Sequence, residues 1–192
     1  MIVAFSTSSP YSSVALLSED GEVMASRQVL APMRASGACF RMLDEIWDES
    51  GAKLEDARLF ACDLGPGSFT GVKVAVTIAK TLALCQGKLV TGATSFDLID
   101  ADQLVVMPSK RNEYFVRYPG KDAMRRSELP DDPFTGFGPG LTSEVYPHAE
   151  RFATILDRCV IVEPERLTPN YLIEPSISKP KSPLNVVSEP CV

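Results

Sequence analysis

The stretch Gly65-Pro66-Gly67-Ser68-Phe69-Thr70-Gly71 decides how the surrounding chain is interpreted. The apolar run before it, residues 59–62, is typical of a buried strand. Residues 72–84 follow without glycine or proline and are long enough for about four helical turns. A glycine-rich turn between a strand and a helix can direct several backbone N–H groups at one point, helped by the positive end of the helix dipole. The stretch therefore predicts either a loop that binds an anion or a tight turn that only lets strand and helix pack.

The candidate anion- or nucleotide-binding residues lie in this loop and directly before it: Asp63, Gly65, Gly67, Ser68, Thr70 and Gly71. Ser68 and Thr70 supply hydroxyl donors, and one of them can instead cap the helix. Asp63 can contact a metal-bound phosphate or cap the following turn. The spacing excludes a Walker loop, because Val72 follows Gly71 where lysine is needed. It also excludes a dinucleotide fingerprint, because Thr70 stands at the third glycine position.

Composition indicates an ordinary globular protein. The chain has 192 residues, 45% hydrophobic and 23% charged, with a formal net charge of −6, so bulk attraction to nucleic acid or anionic membranes is not expected. No run reaches the roughly 20 apolar residues of a membrane span, and the N-terminus lacks the basic region of a signal peptide. The five cysteines are scattered without metal-type spacing, as for reduced thiols. These features predict a cytoplasmic protein without a membrane partner.

The order of predicted elements indicates the fold class. Strands at 2–5, 12–17 and 23–30 precede a helix at 35–50, the strand and helix around the glycine loop, a strand at 89–93 and a helix to about 101. This β-β-β-α-β-α-β order is that of an α/β half-domain of the ribonuclease-H-like or actin-like ATPase fold. The second half is harder to interpret: strands at 104–107 and 113–118, no clear period over 119–140, a short helix at 149–156 and a strand at 160–162. We expect an N-terminal lobe at 1–103, a reduced second lobe at 104–173 and a Pro-rich mobile tail at 174–192.

The sequence predicts no catalytic residue and no metal site. His148 is the single histidine, and no His, Cys or carboxylate spacing suits zinc or iron. No Ser-His-Asp arrangement supports a peptidase. Actin-like phosphotransferases need a carboxylate at the first strand to hold the metal, and this chain has Ser6-Thr7 there. The alternative hypothesis is a stand-alone actin-like phosphotransferase that holds ATP at residues 65–71 with Asp63 near the metal.

The helix after the glycine loop is apolar on more than one face, so it needs cover on a second side. Val74 and Ile78 lie off its main apolar stripe, and the preceding helix offers Phe40, Leu43 and Trp47. These residues form the candidate partner interface. The alternative is that the two helices pack on each other within the chain, and both can be true together.

The chain resembles the TsaB (YeaZ) family of bacterial tRNA threonylcarbamoyladenosine (t6A) biosynthesis. The resemblance rests on Gly65-Pro66-Gly67-Ser68-Phe69-Thr70-Gly71-Val72-Lys73 with Ala79-Lys80-Thr81-Leu82-Ala83, and on looser matches at Ser13–Leu16, Thr94–Asp97, Arg111–Tyr114 and Pro169–Leu172. It implies an actin-like fold of two similar lobes with the second reduced.

The same resemblance implies a non-catalytic subunit that pairs with and activates the transferase TsaD through its first two helices. In that family the ATPase TsaE joins the complex, and the subunit contacts tRNA only as part of the complex. The family also implies a possible homodimer in isolation and possible ATP or ADP with Mg at the subunit interface. Three departures weaken nucleotide binding by this chain alone: Ser6-Thr7 replaces the usual Asp-Thr, Lys73 replaces Arg, and the first helix lacks histidine.

Overall fold

The computed structural model describes residues 1–110 and 112–172. Its first sheet contains β1 (Ile2–Ser6), β2 (Tyr11–Leu17), β3 (Val23–Leu30), β4 (Leu59–Asp63) and β5 (Leu89–Ala93) in the order β3-β2-β1-β4-β5. Strand β1 runs antiparallel to β2 and parallel to β4, and β4 runs parallel to β5. The predicted bounds of β3 and β5 are confirmed.

Three helices accompany this sheet: α1 (Ala35–Ser50), α2 (Phe69–Gln86) and α3 (Ser95–Asp100). The expected bounds of α1 are confirmed, and it ends at Gly51, which has a left-handed φ of 68°. Helix α2 begins three residues earlier than expected, because the Ser68 side chain caps it by accepting from the Gly71 N–H at 3.3 Å. The Thr94 hydroxyl caps α3 in the same way.

The first sheet is covered on both faces. Alternate strand residues such as Val3, Phe5 and Phe60 pack against α1 and α2 in one core cluster. Their neighbours along the strands, such as Ala4 and Ala61, pack in a second cluster with α3 and the C-terminal part of the chain. The first lobe is therefore a three-layer α/β/α unit.

The second sheet is smaller and contains β6 (Val105–Pro108), β7 (Tyr114–Arg117), β8 (Met124–Arg126) and β9 (Thr135–Gly136) in the order β8-β7-β6-β9. Strands β8 and β9 lie within residues 119–140, where the sequence pattern shows no clear period. A separate core cluster that contains Phe96, Met107 and Phe137 packs α3 against this second sheet.

The chain then returns to the first lobe. The expected helix at 149–156 is a 3₁₀ turn at Ala149–Arg151, α4 (Phe152–Ile155) and a second 3₁₀ turn at Leu156–Arg158. Phe152 and Ile155 fill one face of the first sheet, and Leu167 joins the core on the other face. The expected strand at 160–162 is a single antiparallel bridge between Val162 and Val90 of β5.

The division into lobes at 1–103 and 104–173 stays a prediction. The predicted tail at 174–192, like Arg111, lies outside the described residues. Within the described part of the chain, α2 is the helix whose length and composition would allow it to cross a membrane. In this fold α2 packs against the sheet through Val72, Ala75 and Ala79, so its apolar character is explained by the core that it fills.

Candidate functional site

The glycine loop packs directly on the turn that joins β1 and β2. The Ser68 N–H donates to the Ser8 carbonyl oxygen at 2.7 Å, and the Thr7 hydroxyl donates to the Gly71 carbonyl oxygen at 2.6 Å. A Cβ atom at Gly67 would overlap the Ser8 carbonyl, and one at Gly71 would overlap the Thr7 carbonyl oxygen. Both glycines are therefore explained by the close approach of two backbone segments. The tight-turn alternative accounts for this inner part of the loop.

Asp63 ends β4 and is fully buried at the centre of a hydroxyl cluster. Its Oδ2 accepts from the Ser6 hydroxyl at 2.7 Å and from the Ser8 hydroxyl at 2.5 Å. Its Oδ1 accepts from the Ser95 hydroxyl at 2.6 Å and from the Gly65 N–H at 2.8 Å. Burial raises the pKa of Asp63, and the four hydrogen bonds oppose that shift. The carboxylate is used to join β1, the loop and α3, which matches the turn-capping alternative.

Ser8 and Ser95 are cluster members that the sequence analysis did not assign to the site, and Ser6 was noted only as the residue that stands where a metal-holding carboxylate is needed. Serine is common in turns and at helix starts, and none of these positions stands out by charge or spacing. The available signal is topological: β1 and β4 are parallel neighbours, so residues that follow them meet at the same sheet edge.

The outer half of the loop, residues 67–70, is exposed and forms one wall of a cleft between the lobes. The cleft measures about 1070 Å³. The Phe69 ring lies 5.0 Å from the Tyr171 ring, and the Lys73 Nζ lies 4.1 Å from the Phe69 ring centroid. Phe137 and Tyr146 also line this cleft.

The charges in this cleft do not suit Mg-ATP bound by this chain alone. Lys110 and Glu144 are the charged side chains among its described lining residues. Glu144 accepts from the Tyr146 hydroxyl at 2.7 Å and from the Gly138 N–H at 3.1 Å, and both bonds lower its pKa. Asp63 lies behind the loop with its acceptor positions occupied. In the described chain no group of three or more His, Cys, Asp or Glu side chains has metal-binding geometry.

The candidate interface residues on α1 and α2 separate into two groups. Leu43 and Ile78 are only 1% and 6% exposed and belong to the core beneath the helices. Trp47 and Val74 are half-buried, and Phe40 is 48% exposed. This corrects the candidate surface, because Leu43 and Ile78 face the chain's own core and cannot meet a partner. Core packing of both helices also matches the intramolecular alternative.

The two sheets, the strand order and the interlobe cleft define an α/β fold of the actin-like, ribonuclease-H-like class, as expected. YeaZ from Pseudomonas aeruginosa has a similar structure, with a TM-score of 0.73 over 89% of this chain and 99% of that one, at 23% sequence identity. A second structure, of a protein with similarity to the peptidase YeaZ from Pseudomonas aeruginosa, has a TM-score of 0.75 over 90% of this chain and 99% of its own, at 22% identity. At these identities the likeness concerns the fold.

Sequence comparison adds two partial matches. Residues 33–101 match the family model described as TsaD: tRNA N6-adenosine threonylcarbamoyltransferase. The tRNA threonylcarbamoyladenosine biosynthesis protein TsaB of Escherichia coli K12 is 40% identical over 83 residues, which are 43% of this chain and 35% of that protein. The match thus spans about a third of the length of this curated relative. Taken together, these partial sequence matches to TsaB and to the TsaD family model, beside the YeaZ-like fold, show similarity to the TsaB/YeaZ family.

Proposed function

We propose that this chain acts in t6A biosynthesis on tRNA, as a non-catalytic subunit that pairs with and activates a TsaD-type transferase. The observation that carries the proposal is the match to TsaB together with a TsaD-like domain over residues 33–101. That range contains the whole of α1 and of α2, the helices that carry the accessible candidate surface. TsaE and tRNA would join through the complex, in the cytoplasm.

The loop geometry supports the non-catalytic part of this proposal. Asp63 is enclosed by hydroxyls, and the Ser68 N–H and the Gly65 N–H are bonded within the chain. His148 lies at the start of the 3₁₀ turn at 149–151, where its side chain accepts from the Glu150 N–H. If a nucleotide with Mg binds at the subunit interface, the partner would therefore supply most of the cationic side chains for the phosphates and most of the carboxylates for the Mg ion.

The partner surface that we propose follows the outward stripe of α1. Phe40 and Trp47 are two turns apart, and the exposed carboxylates of Asp44 and Asp48 lie between and beside them at helical spacing. Half-buried Val74 of α2 continues the surface. An aromatic anchor with an acidic rim fits a partner face that is apolar at its centre and basic around it.

The test mixes the full chain with the TsaD protein of the same source and measures the complex by size exclusion with light scattering and by calorimetry. We expect a one-to-one species whose Kd rises about 30-fold in Phe40→Asp, since loss of an anchor costs about 2 kcal/mol. The matched control is Val160→Asp, at a residue 75% exposed and outside the α1–α2 surface, which should leave the Kd unchanged.

Two results would contradict the proposal. One is the absence of a complex in the presence and absence of Mg-ATP. The other is ATP hydrolysis by the chain alone that is lost in Thr70→Ala, since this would favour the phosphotransferase hypothesis and place chemistry at the exposed half of the loop.

A further inference from the structure

The interlobe cleft has exposed apolar side chains gathered around its opening. Met33 lines the cleft and is 96% exposed. Three further lining residues, Phe69, Tyr171 and Leu172, are each more than a third exposed. Large apolar side chains scattered singly over a surface are ordinary, but a group of them around one opening marks an interaction site. These side chains therefore define a surface that suits an apolar segment.

The walls of the cleft have the chemistry of a groove for a proline-rich segment. Two aromatic pairs line it: Phe69 with Tyr171, and Phe137 with Tyr146. Aromatic-lined grooves bind polyproline II segments, whose shape is preformed so that little conformational entropy is lost on binding. The carbonyl groups of such a segment have no internal partners and need donors from the groove. The N–H groups of Phe69 and Thr70, in the first turn of α2, have no backbone acceptor in the described chain and can serve as donors.

The chain carries a segment of this kind a short distance after the cleft. Pro180-Lys181-Ser182-Pro183 is a P-x-x-P sequence in the Pro-rich tail. Because polyproline II has three residues per turn, it places the two prolines on one face. Pro180 comes eight residues after Leu172, which lines the cleft. That connection reaches about 25 Å as polyproline II, more than twice the roughly 10 Å edge of a cube with the cleft's volume of about 1070 Å³.

The charges of the cleft and of the tail complement each other. Lys110 and Glu144 are the charged side chains among the described lining residues, and both are exposed. The tail carries Lys179 and Lys181 beside its P-x-x-P prolines and Glu174 near its start. Opposite charges are thus available for both lining residues. Exposed ion pairs contribute about 0–1 kcal/mol each, so these pairs orient a docked segment and the aromatic contacts hold it.

We propose that the segment Lys179–Leu184 docks in the interlobe cleft of its own chain, with Pro180 and Pro183 against the aromatic walls. Lys181 then lies on a neighbouring face, where its ammonium can donate to Glu144. The docked segment contacts both walls and closes the cleft to other ligands. Because the connection is short, the effective concentration of the segment is in the mM range. An intrinsic Kd of about 100 µM would therefore keep about 90% of the molecules closed.

This inference goes beyond the proposed function and is tested without the transferase. Val74 lines the cleft and also continues the surface proposed for the partner, so the docked segment would lie beside that surface. Both experiments use the full chain alone. Failure of the chain to bind TsaD would leave tail docking intact, and failure of docking would leave complex formation intact.

The first experiment measures trypsin cleavage of the Lys181–Ser182 bond in the full chain, by mass spectrometry at low enzyme concentration. A docked segment is cleaved only from the open fraction. In Phe69→Ala, docking that is about ten-fold weaker raises the open fraction from about 9% to about 50%, so cleavage should be about five-fold faster. The tail itself is unchanged in this variant, so the intrinsic cleavage rate of the bond is the same.

Leu84→Ala is the matched control for this experiment. It removes an exposed apolar side chain at the other end of α2, outside the cleft, and should leave cleavage slow. Circular dichroism checks that both variants are folded. The rate in the unsubstituted chain should not depend on protein concentration, because the segment docks within its own molecule.

The second experiment locates the docked segment by the amide chemical shifts of the full chain. Pro183→Ala should shift the signals of Thr70 and Tyr171, which line the cleft. Pro190→Ala is the matched control, because it removes a tail proline outside the P-x-x-P segment and should leave both signals in place. Lys181→Glu should move the two signals in the same direction as Pro183→Ala by a smaller amount, since it loses only the ion pair.

Three results would overturn the inference. The first is equal cleavage in the unsubstituted chain and Phe69→Ala, with no shift of the cleft signals in Pro183→Ala. The second is a set of shifts confined to Val23–Leu30, which would place the tail on the open edge of the first sheet. The third is protection that disappears on dilution, which would mean that the segment docks in another molecule.

Discussion

The glycine loop and the α1–α2 pair are the two regions that the sequence marked as functional, and they differ in the direction that their key residues face. In the loop, Asp63, Gly67 and Gly71 face inward and are occupied by the turn between β1 and β2. On the helices, Phe40 remains 48% exposed beside half-buried Trp47. A glycine-rich pattern can thus record a packing requirement, whereas Phe40 keeps an apolar side chain accessible on the surface that we propose for a partner.

The largest expected effect is a loss of free energy of unfolding, and it compares a buried with a more accessible position on α2. Ile78→Asp places an unpaired carboxylate in the core and should lower the free energy of unfolding by more than about 4 kcal/mol, a large part of the roughly 5–15 kcal/mol of a typical domain. Val74→Asp, at a half-buried position one turn earlier, should cost about 1 kcal/mol. Urea denaturation followed by circular dichroism measures both. Equal losses in the two variants would mean that Ile78 is not more deeply buried in the core than Val74.

An intermediate effect concerns the inner half of the loop. Gly71→Ala should lower the free energy of unfolding by about 3 kcal/mol, because its Cβ meets a backbone oxygen of Thr7 that cannot move without disturbing β1. Gly37→Ala is the control, since a Cβ there has open space within α1. It should be neutral or stabilising by up to about 1 kcal/mol. A tolerated Gly71→Ala would show that the loop is not held against the turn.

The smallest expected effect is a pH dependence at Asp63. Burial raises its folded-state pKa above the unfolded value, so its contribution to stability is complete below the unfolded pKa of about 3.9 and is lost as pH rises through the folded pKa. Asp63→Asn removes this titration. The free energy of unfolding of the unsubstituted chain, relative to that of the variant, should therefore fall as pH increases from about 3.5 to 7. A difference that is constant over this range would mean that the four hydrogen bonds fully compensate burial.

The sequence predicted the first lobe more completely than the second. Strand β3, α1 and β5 were placed at their observed bounds, because period-two and period-3.6 patterns are strong over five or more residues. Strands β8 and β9 have three and two residues, too few to show any period. Their pairing with β7 and β6 comes from tertiary contacts that no local pattern records.

The candidate sites show the same limit. The sequence located the loop and both helices but not the orientation of α1 and α2, so Leu43 and Ile78 were assigned to a surface although both are buried in the core. It named Asp63 but not the hydroxyls around it, because Ser6 and Ser95 are brought together only by the order of the parallel strands. Helical spacing defines which residues share a stripe, and only packing decides which stripe is covered.

The return of the chain to the first lobe has a consequence for synthesis. Phe152 and Ile155 close one face of the first sheet, and Leu167 completes the core on the other. A ribosome makes the N-terminal strands first, yet the residues that cover them leave it last. The first sheet must therefore wait with apolar surface uncovered until residues 149–167 have been made, and only then can its core close.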